Sequence, residues 1–190
     1  MNDDLRRNLG PLAALAGIWE GQKGDDTAPA DDRGVENNKY RERLVFEPIG
    51  PTQNHEQVLY GLRYSTMAWR LGEEAPFHEE LGYWSWDAKA KQVFRAFMPP
   101  RGLTVFAGGS VEPTAREWKI AAEVGSATFG ICSNPFLDAE FRTVRYDLKI
   151  TVHGDDSFSY EEDTVMLMKG RKDLFHHVDK NTVKRVAEAK

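Results

Sequence analysis

The chain of 190 residues has one cysteine, Cys132. An internal disulfide is therefore excluded, and no cysteine cluster exists to hold a structural metal. No apolar run approaches the ~18 residues that a membrane helix needs. The opening Met1-Asn-Asp-Asp-Leu-Arg-Arg7 is charged and lacks the apolar core of a secretion signal, so a cytoplasmic protein is expected. Motifs that announce common chemistries are missing as well: no Gly-rich phosphate loop, no GxSxG, no HExxH, no CxxC. The acidic residues are scattered without a recognisable catalytic pair. Helical stretches are almost absent after residue 16, which excludes parallel βαβ units. A formal charge of −5 argues against nucleic acid or an anionic membrane surface as partner.

What is present is strand. A hydrophobic content of 41% and a charged content of 29% suit one soluble domain over 1–190. Residues 1–16 read as a helical cap, broken near Gly10-Pro11, and 17–186 as about ten antiparallel strands. Tyr40, Glu42, Leu44 and Phe46 share one face by period 2. Val58, Tyr60, Leu62 and Tyr64 do the same on the next strand. Pro48-Ile-Gly-Pro51 reads as a break, Asp25–Asn38 as a long polar surface loop and 134–140 as another loop. Phe141–His153 and Ser157–Met168 form a hairpin about Gly154-Asp-Asp156. A meander this long closes most simply on itself, giving an all-β, closed up-and-down antiparallel barrel with room for one ligand. Trp19 closes one end. Because first and last strands of a closed barrel are neighbours, Arg185 or Lys184 is expected to stack over Trp19.

Five histidines are the residual chemistry. His55 and His153 sit at strand ends beside turns and read as exposed. His78 opens a strand in Phe77-His-Glu-Glu-Leu-Gly82 and shares a face with Gly82 and Trp84. In His176-His177 adjacent side chains point to opposite faces, so one of the two faces inward. A neutral imidazole in an apolar cavity suits a haem iron and is a poor choice for plain packing, although a structural histidine bonded to a neighbouring carbonyl has the same spacing.

Leu15-Ala-Gly17-Ile-Trp19-Glu-Gly21-Gln-Lys-Gly24 resembles the opening LxGxWxGxG motif of the nitrobindin family. Pro76-Phe-His78-Glu-Glu-Leu-Gly82-Tyr83 is similar to that family's P-M-H-x-E-x-G-Y segment. Tyr160-Glu-Glu-Asp163, followed by a histidine on the final strand, matches in order. The resemblance implies a fatty-acid-binding-protein-like, calycin-type barrel holding a b-type haem near its open end. It implies His177 as the metal ligand, since that alignment needs one inserted residue before Val183 whereas His176 needs two. It places His78 on the distal side as the catalytic residue, with Phe77, His78, His176 and Trp19 as the cofactor's surroundings. It further implies binding of nitric oxide and isomerisation of peroxynitrite to nitrate at ferric haem. Four departures stand out: Gly24 falls one residue late, Phe77 replaces the usual methionine, a residue is inserted around Asp179-Lys-Asn181, and the loops at 25–38 and 134–140 are long. The rival reading is a non-enzymatic carrier of a fatty acid or similar apolar ligand, with Arg63, Arg95 or Arg145 anchoring a carboxylate. A third is a barrel plugged by its own aromatic side chains that acts through its surface. The partner expected is a small-molecule ligand in the cavity, with no nucleic acid and no membrane; a homodimer is left open.

Overall fold

A computed structural model describes residues 3–154 and 156–189. Met1, Asn2, Asp155 of the expected hairpin turn, and Lys190 lie outside the described residues. The chain opens with α1 (Asp3–Asn8) and a 3-10 turn (Gly10–Ala14) with Pro11 in its first turn. Among the described residues eleven strands follow: β1 (Gly17–Pro29), β2 (Val35–Asn54), β3 (Gln57–Arg70), β4 (His78–Asp87), β5 (Gln92–Met98), β6 (Leu103–Ser110), β7 (Glu117–Val124), β8 (Gly130–Ser133), β9 (Phe141–Val152), β10 (Ser157–Met168) and β11 (Phe175–Ala187). A short α2 (Pro135–Glu140) separates β8 from β9. The strands close into a barrel in the order β1-β11-β10-β9-β7-β8-β6-β5-β4-β3-β2. All pairings are antiparallel except the short one between β7 and β8. The barrel architecture read from strand alternation is the one observed, with eleven strands against about ten.

One end is shut by the N-terminal segment. Leu9, Leu12, Leu15 and Trp19 are fully buried there, each worth roughly 1.5–3 kcal/mol on leaving water. Trp19 Nε1 donates to the Leu15 carbonyl at 2.7 Å. Arg185, opposite Trp19 in the β1–β11 register, lies 4.2 Å over its ring. The guanidinium also donates to the carbonyls of Ala14 (3.0 Å) and Ala16, which the 3-10 turn leaves unpaired. Lys184 stands opposite Glu20 instead. Gly17 makes the corner between turn and strand. Its φ is +135°, and a Cβ there would lie 2.8 Å from the Ala187 carbonyl oxygen.

Three stretches differ from the expectation of loops. The polar run 25–38 is strand on both sides of a short turn: β1 continues to Pro29 and β2 starts at Val35, paired residue by residue. Its polar residues are not all at the surface, because Asp26 and Asn38 are buried facing the barrel interior. Pro48–Pro51 does not end β2; a register shift between Ile49 and Thr52 absorbs it and pairing with β3 resumes. The 134–140 stretch is α2, started by Pro135 and capped by Asn134, whose side chain accepts from the Leu137 N–H at 3.0 Å.

The late glycine of the opening motif also has a structural cause. Register between β1 and β2 shifts by one residue between Gly21 and Gly24. Gln22 and Lys23 are both exposed there, which is a β-bulge. Inward parity therefore changes: Trp19 and Gly21 face in before the bulge, Gly24 and Asp26 after it. Gly24 admits no side chain, since a Cβ would lie 2.2 Å from the Tyr40 ring. Against β10, by contrast, β11 runs from Phe175 to Lys184 without a shift, so its inserted residue leaves the strand regular.

Candidate functional site

The end opposite the N-terminal plug is open. It leads into a cavity of about 550 Å3, a size suited to a small-molecule ligand. His177, near the start of β11, and His78, at the start of β4, both line it. On β11 the residues Phe175, His177, Asp179, Asn181 and Val183 share the inward face. His176 necessarily projects outward, where its Nδ1 lies 2.7 Å from Asp163 Oδ2 and its side chain is 57% exposed. Phe77 lines the cavity mouth, edge-on to Tyr40 and beneath the Arg70 guanidinium at 4.8 Å. Trp19 belongs to the closed end and does not reach this cavity. His153 bonds Ser159 on the exterior, and His55 lies in the exposed β2–β3 turn with φ +54°.

Each cavity imidazole is held by a carboxylate. His177 Nε2 lies 2.7 Å from Asp26 Oδ1, and Asp26 Oδ2 accepts from Asn38 Nδ2 at 3.0 Å. Asn38 Oδ1 in turn accepts from Arg70 Nε at 2.9 Å. Burial pushes the Asp26 carboxyl up, but the bonds and charge of His177 and the Asn38 amide bring it below the usual range. On the other wall His78 Nε2 lies 3.3 Å from Glu80 Oε1. Burial disfavours the imidazolium, yet Glu80 outweighs it and His78 holds its proton to higher pH than a free histidine.

Beneath the imidazoles the interior is polar, which the sequence motifs did not announce. Arg95 is buried between Glu80 (2.7 Å) and Glu162 (2.8 Å), with Tyr64 and Tyr146 hydrogen-bonded to the same group. It is also 4.1 Å over the Phe97 ring. Burial pushes Glu80 up, but the Arg95 charge and the His78 bond hold it well below the carboxylate range. Arg63 and Arg145 point outward to Glu47 and Asp147. Arg95 is thus the only inward member of the three arginines, and its charge is already matched by two carboxylates.

A second network joins Asp179, Tyr40, Tyr160 and Glu42, with Asn181 donating to Glu42 Oε1 at 2.7 Å. Tyr40 contacts Asp179 through its hydroxyl, the two phenol oxygens are 2.6 Å apart, and Tyr160 lies 3.0 Å from Glu42. These are three oxygen–oxygen contacts, and two phenols supply only two hydrogens. A proton kept on Glu42 or Asp179 would complete the chain of hydrogen bonds. Burial agrees, raising Glu42 to about 7 and Asp179 well above its usual value. A carboxyl whose pKa is raised on folding stabilises fully below about 4.5, and loses that contribution as pH rises toward 7. Glu42→Gln mimics the protonated acid and should escape the loss. Its melting temperature should exceed the wild type's at pH 8, by an amount equivalent to about 3 kcal/mol, and the gap should close at pH 5. A gap independent of pH would contradict the proton count.

The donor set can be compared with what a haem requires. It offers imidazoles on the wall, aromatic and aliphatic surface near the mouth (Phe77, Leu137, Phe141, Met166), and two cavity-lining arginines, Arg70 and Arg101, for a macrocycle's carboxylates. These residues fit the group. Among the described residues no cluster of three or more histidine, cysteine or carboxylate side chains would hold a bare metal ion. No helix among them is long and apolar enough to cross a membrane.

The family described as THAP4-like, heme-binding beta-barrel domain matches residues 8–185. Two curated relatives are both named peroxynitrite isomerase. The one from Clavibacter michiganensis subsp. michiganensis (strain NCPPB 382) is 31% identical over 116 residues, 59% of this chain and 53% of that protein. The one from Leifsonia xyli subsp. xyli (strain CTCB07) is 37% identical over 82 residues, 43% of this chain and 36% of that protein. The chain thus spans about half the length of these relatives, or less. Among solved structures, Rv2717c from M. tuberculosis superposes with a TM-score of 0.69 at 22% identity, covering 94% of this chain and 96% of that one. That likeness concerns the fold.

Proposed function

The chain belongs to the family of THAP4-like, haem-binding β-barrel domains, and from that premise we propose that its cavity takes a b-type haem, with His177 as the metal ligand. The observation that carries the reading is the pair of inward imidazoles, His177 on β11 and His78 on β4, at the open end of one cavity. His177 would hold the iron; the wall near the mouth would cover the macrocycle's apolar faces; Arg70 and Arg101 would meet its carboxylates. When bound, the haem would supply a ferric centre able to take an anionic ligand such as peroxynitrite.

The activity proposed is isomerisation of peroxynitrite to nitrate, as in the two named relatives, together with binding of nitric oxide. Isomerisation consumes no proton, so the chain's task is to hold an anion and keep escaping fragments together. His78 would do that work. Glu80 raises its affinity for a proton, which makes it a hydrogen-bond donor to an anion in the cavity. Glu80 also fixes the ring, and Arg95 in turn fixes Glu80. The Phe77 ring at the mouth limits access of water.

The test is addition of hemin to the purified protein, followed optically. A Soret band that saturates at one equivalent, with faster decay of peroxynitrite to nitrate by the loaded protein, is the expected result. Absence of the band overturns the reading. The family match does not favour the carrier reading, and of the three arginines named for it only Arg95 faces inward, where Glu80 and Glu162 already pair it.

A further inference from the structure

We infer that Asp26 is a latch on His177, competing with iron for the imidazole's Nε2, so that haem loading consists in part of opening this bond. The inference rests on the proposed role of His177 as metal ligand. It starts from the bulge at Gln22–Lys23. Without the extra residue, β1 would present positions 23 and 25 to the interior; with it, Asp26 faces in and lands beside the ring that the family resemblance assigns to the metal. Bulges serve to re-aim side chains in this way.

The geometry then decides which nitrogen is free. Nε2, at 2.7 Å, is the atom bonded to Asp26. If the proton of that bond sits on Nε2, the nitrogen has no lone pair to give; if it sits on the carboxyl, the lone pair is already accepting it. Iron is excluded from Nε2 in both cases. A metal-bound histidine ordinarily donates its other ring N–H to a carboxylate, leaving the ligating nitrogen clear. Here the carboxylate is on the nitrogen that a haem ordinarily uses. Nor is Asp26 loosely placed: it is 4% exposed, its second oxygen accepts from Asn38, and Arg70 holds Asn38. The carboxylate therefore does not simply swing away.

Opening the latch balances without any co-reactant. The Nε2–H···Oδ1 bond breaks and Nε2 gives up its proton, to Nδ1 of a neutral ring or to solvent from the imidazolium, and the Nε2 lone pair becomes available. Asp26 keeps its Asn38 bond. Its role is that of a positioning residue: it acts on the metal through His177 and sets how tightly and how fast the chain loads.

The experiment compares hemin titrations of wild-type, Asp26→Ala and Asp26→Asn proteins, with 15N NMR of the His177 ring in the hemin-free state. Asp26→Ala should bind hemin at least tenfold more tightly than wild type. Asp26→Asn, which replaces a charge-assisted bond by a neutral one, should fall between and carries the test if the alanine variant does not fold. The NMR signal should show the engaged Nε2 in wild type and its release in Asp26→Ala, a change that mere loss of packing would not produce. Equal or weaker hemin affinity in the variants overturns the latch while leaving His177 as ligand. No Soret band in any of the three proteins removes the haem reading itself, and the latch with it.

Discussion

Replacing His177 with alanine should abolish the Soret band expected of the wild-type protein with hemin, whereas His176→Ala should leave that band in place. The two rings are adjacent in sequence and opposite in direction: one lines the cavity, the other is more than half exposed beside Asp163. Loss of the iron's protein ligand should exceed the roughly 10–100-fold penalty that follows from altering residues one shell out. The alanine variant also leaves Asp26 buried with one partner fewer, at a cost of roughly 1–3 kcal/mol. His177→Gln separates the two effects, since its amide can still donate to Asp26 but is a poor iron ligand. It should therefore fold with near wild-type stability and still show no Soret band. A band retained in both His177 variants would move the ligand elsewhere, His78 being the next imidazole on the wall.

The second large effect belongs to Arg95. Arg95→Ala takes the arginine's charge from Glu162 and leaves Glu80 only His78 in the barrel interior; breaking a buried ion pair costs roughly 3–5 kcal/mol. The sign of its pH dependence follows from Glu80, whose folded pKa is depressed. Stability from such a group is present above its unfolded pKa and is lost as pH falls through the folded one. The deficit of Arg95→Ala, measured by urea denaturation, should therefore be largest at neutral pH and shrink as the buffer is taken below about pH 4. A deficit that grows in acid would show that the arginine's contribution is packing against Phe97 rather than charge. Because Glu80 also holds His78, the variant should lose control of that ring's orientation before it loses the fold.

Much of the architecture was legible because alternation is a local signal. Leu44 and Phe46, or Leu62 and Tyr64, reveal an inward face without reference to any other strand. Trp19 and Arg185 could be paired because closure makes first and last strands neighbours whatever the intervening path. The opening-motif irregularity at Gly24 was visible too, although only the β1–β2 register shows that it is a bulge that turns Asp26 inward.

The polar interior was harder to read. Glu42, Glu80 and Arg95 fall in phase with apolar inward neighbours, and a charged residue in such a phase was the available signal. Its meaning depends on partners supplied by distant strands, as Glu162 of β10 is to Arg95 of β5. Sequence spacing carries no trace of that pairing. The same lack explains the run 25–38: its aspartates and asparagines read as surface residues, because a polar residue facing a polar cavity has the composition of one facing water. Nor could the sequence show that Asp26 meets His177, a contact between chain positions 151 residues apart.

A crystal structure of the protein loaded with one equivalent of hemin decides whether His177 holds the iron. The macrocycle should lie in the mouth of the barrel, with His177 Nε2 bonded to the iron and no longer to Asp26. A macrocycle outside the barrel, or iron held by another side chain while His177 remains on Asp26, would contradict that role for His177.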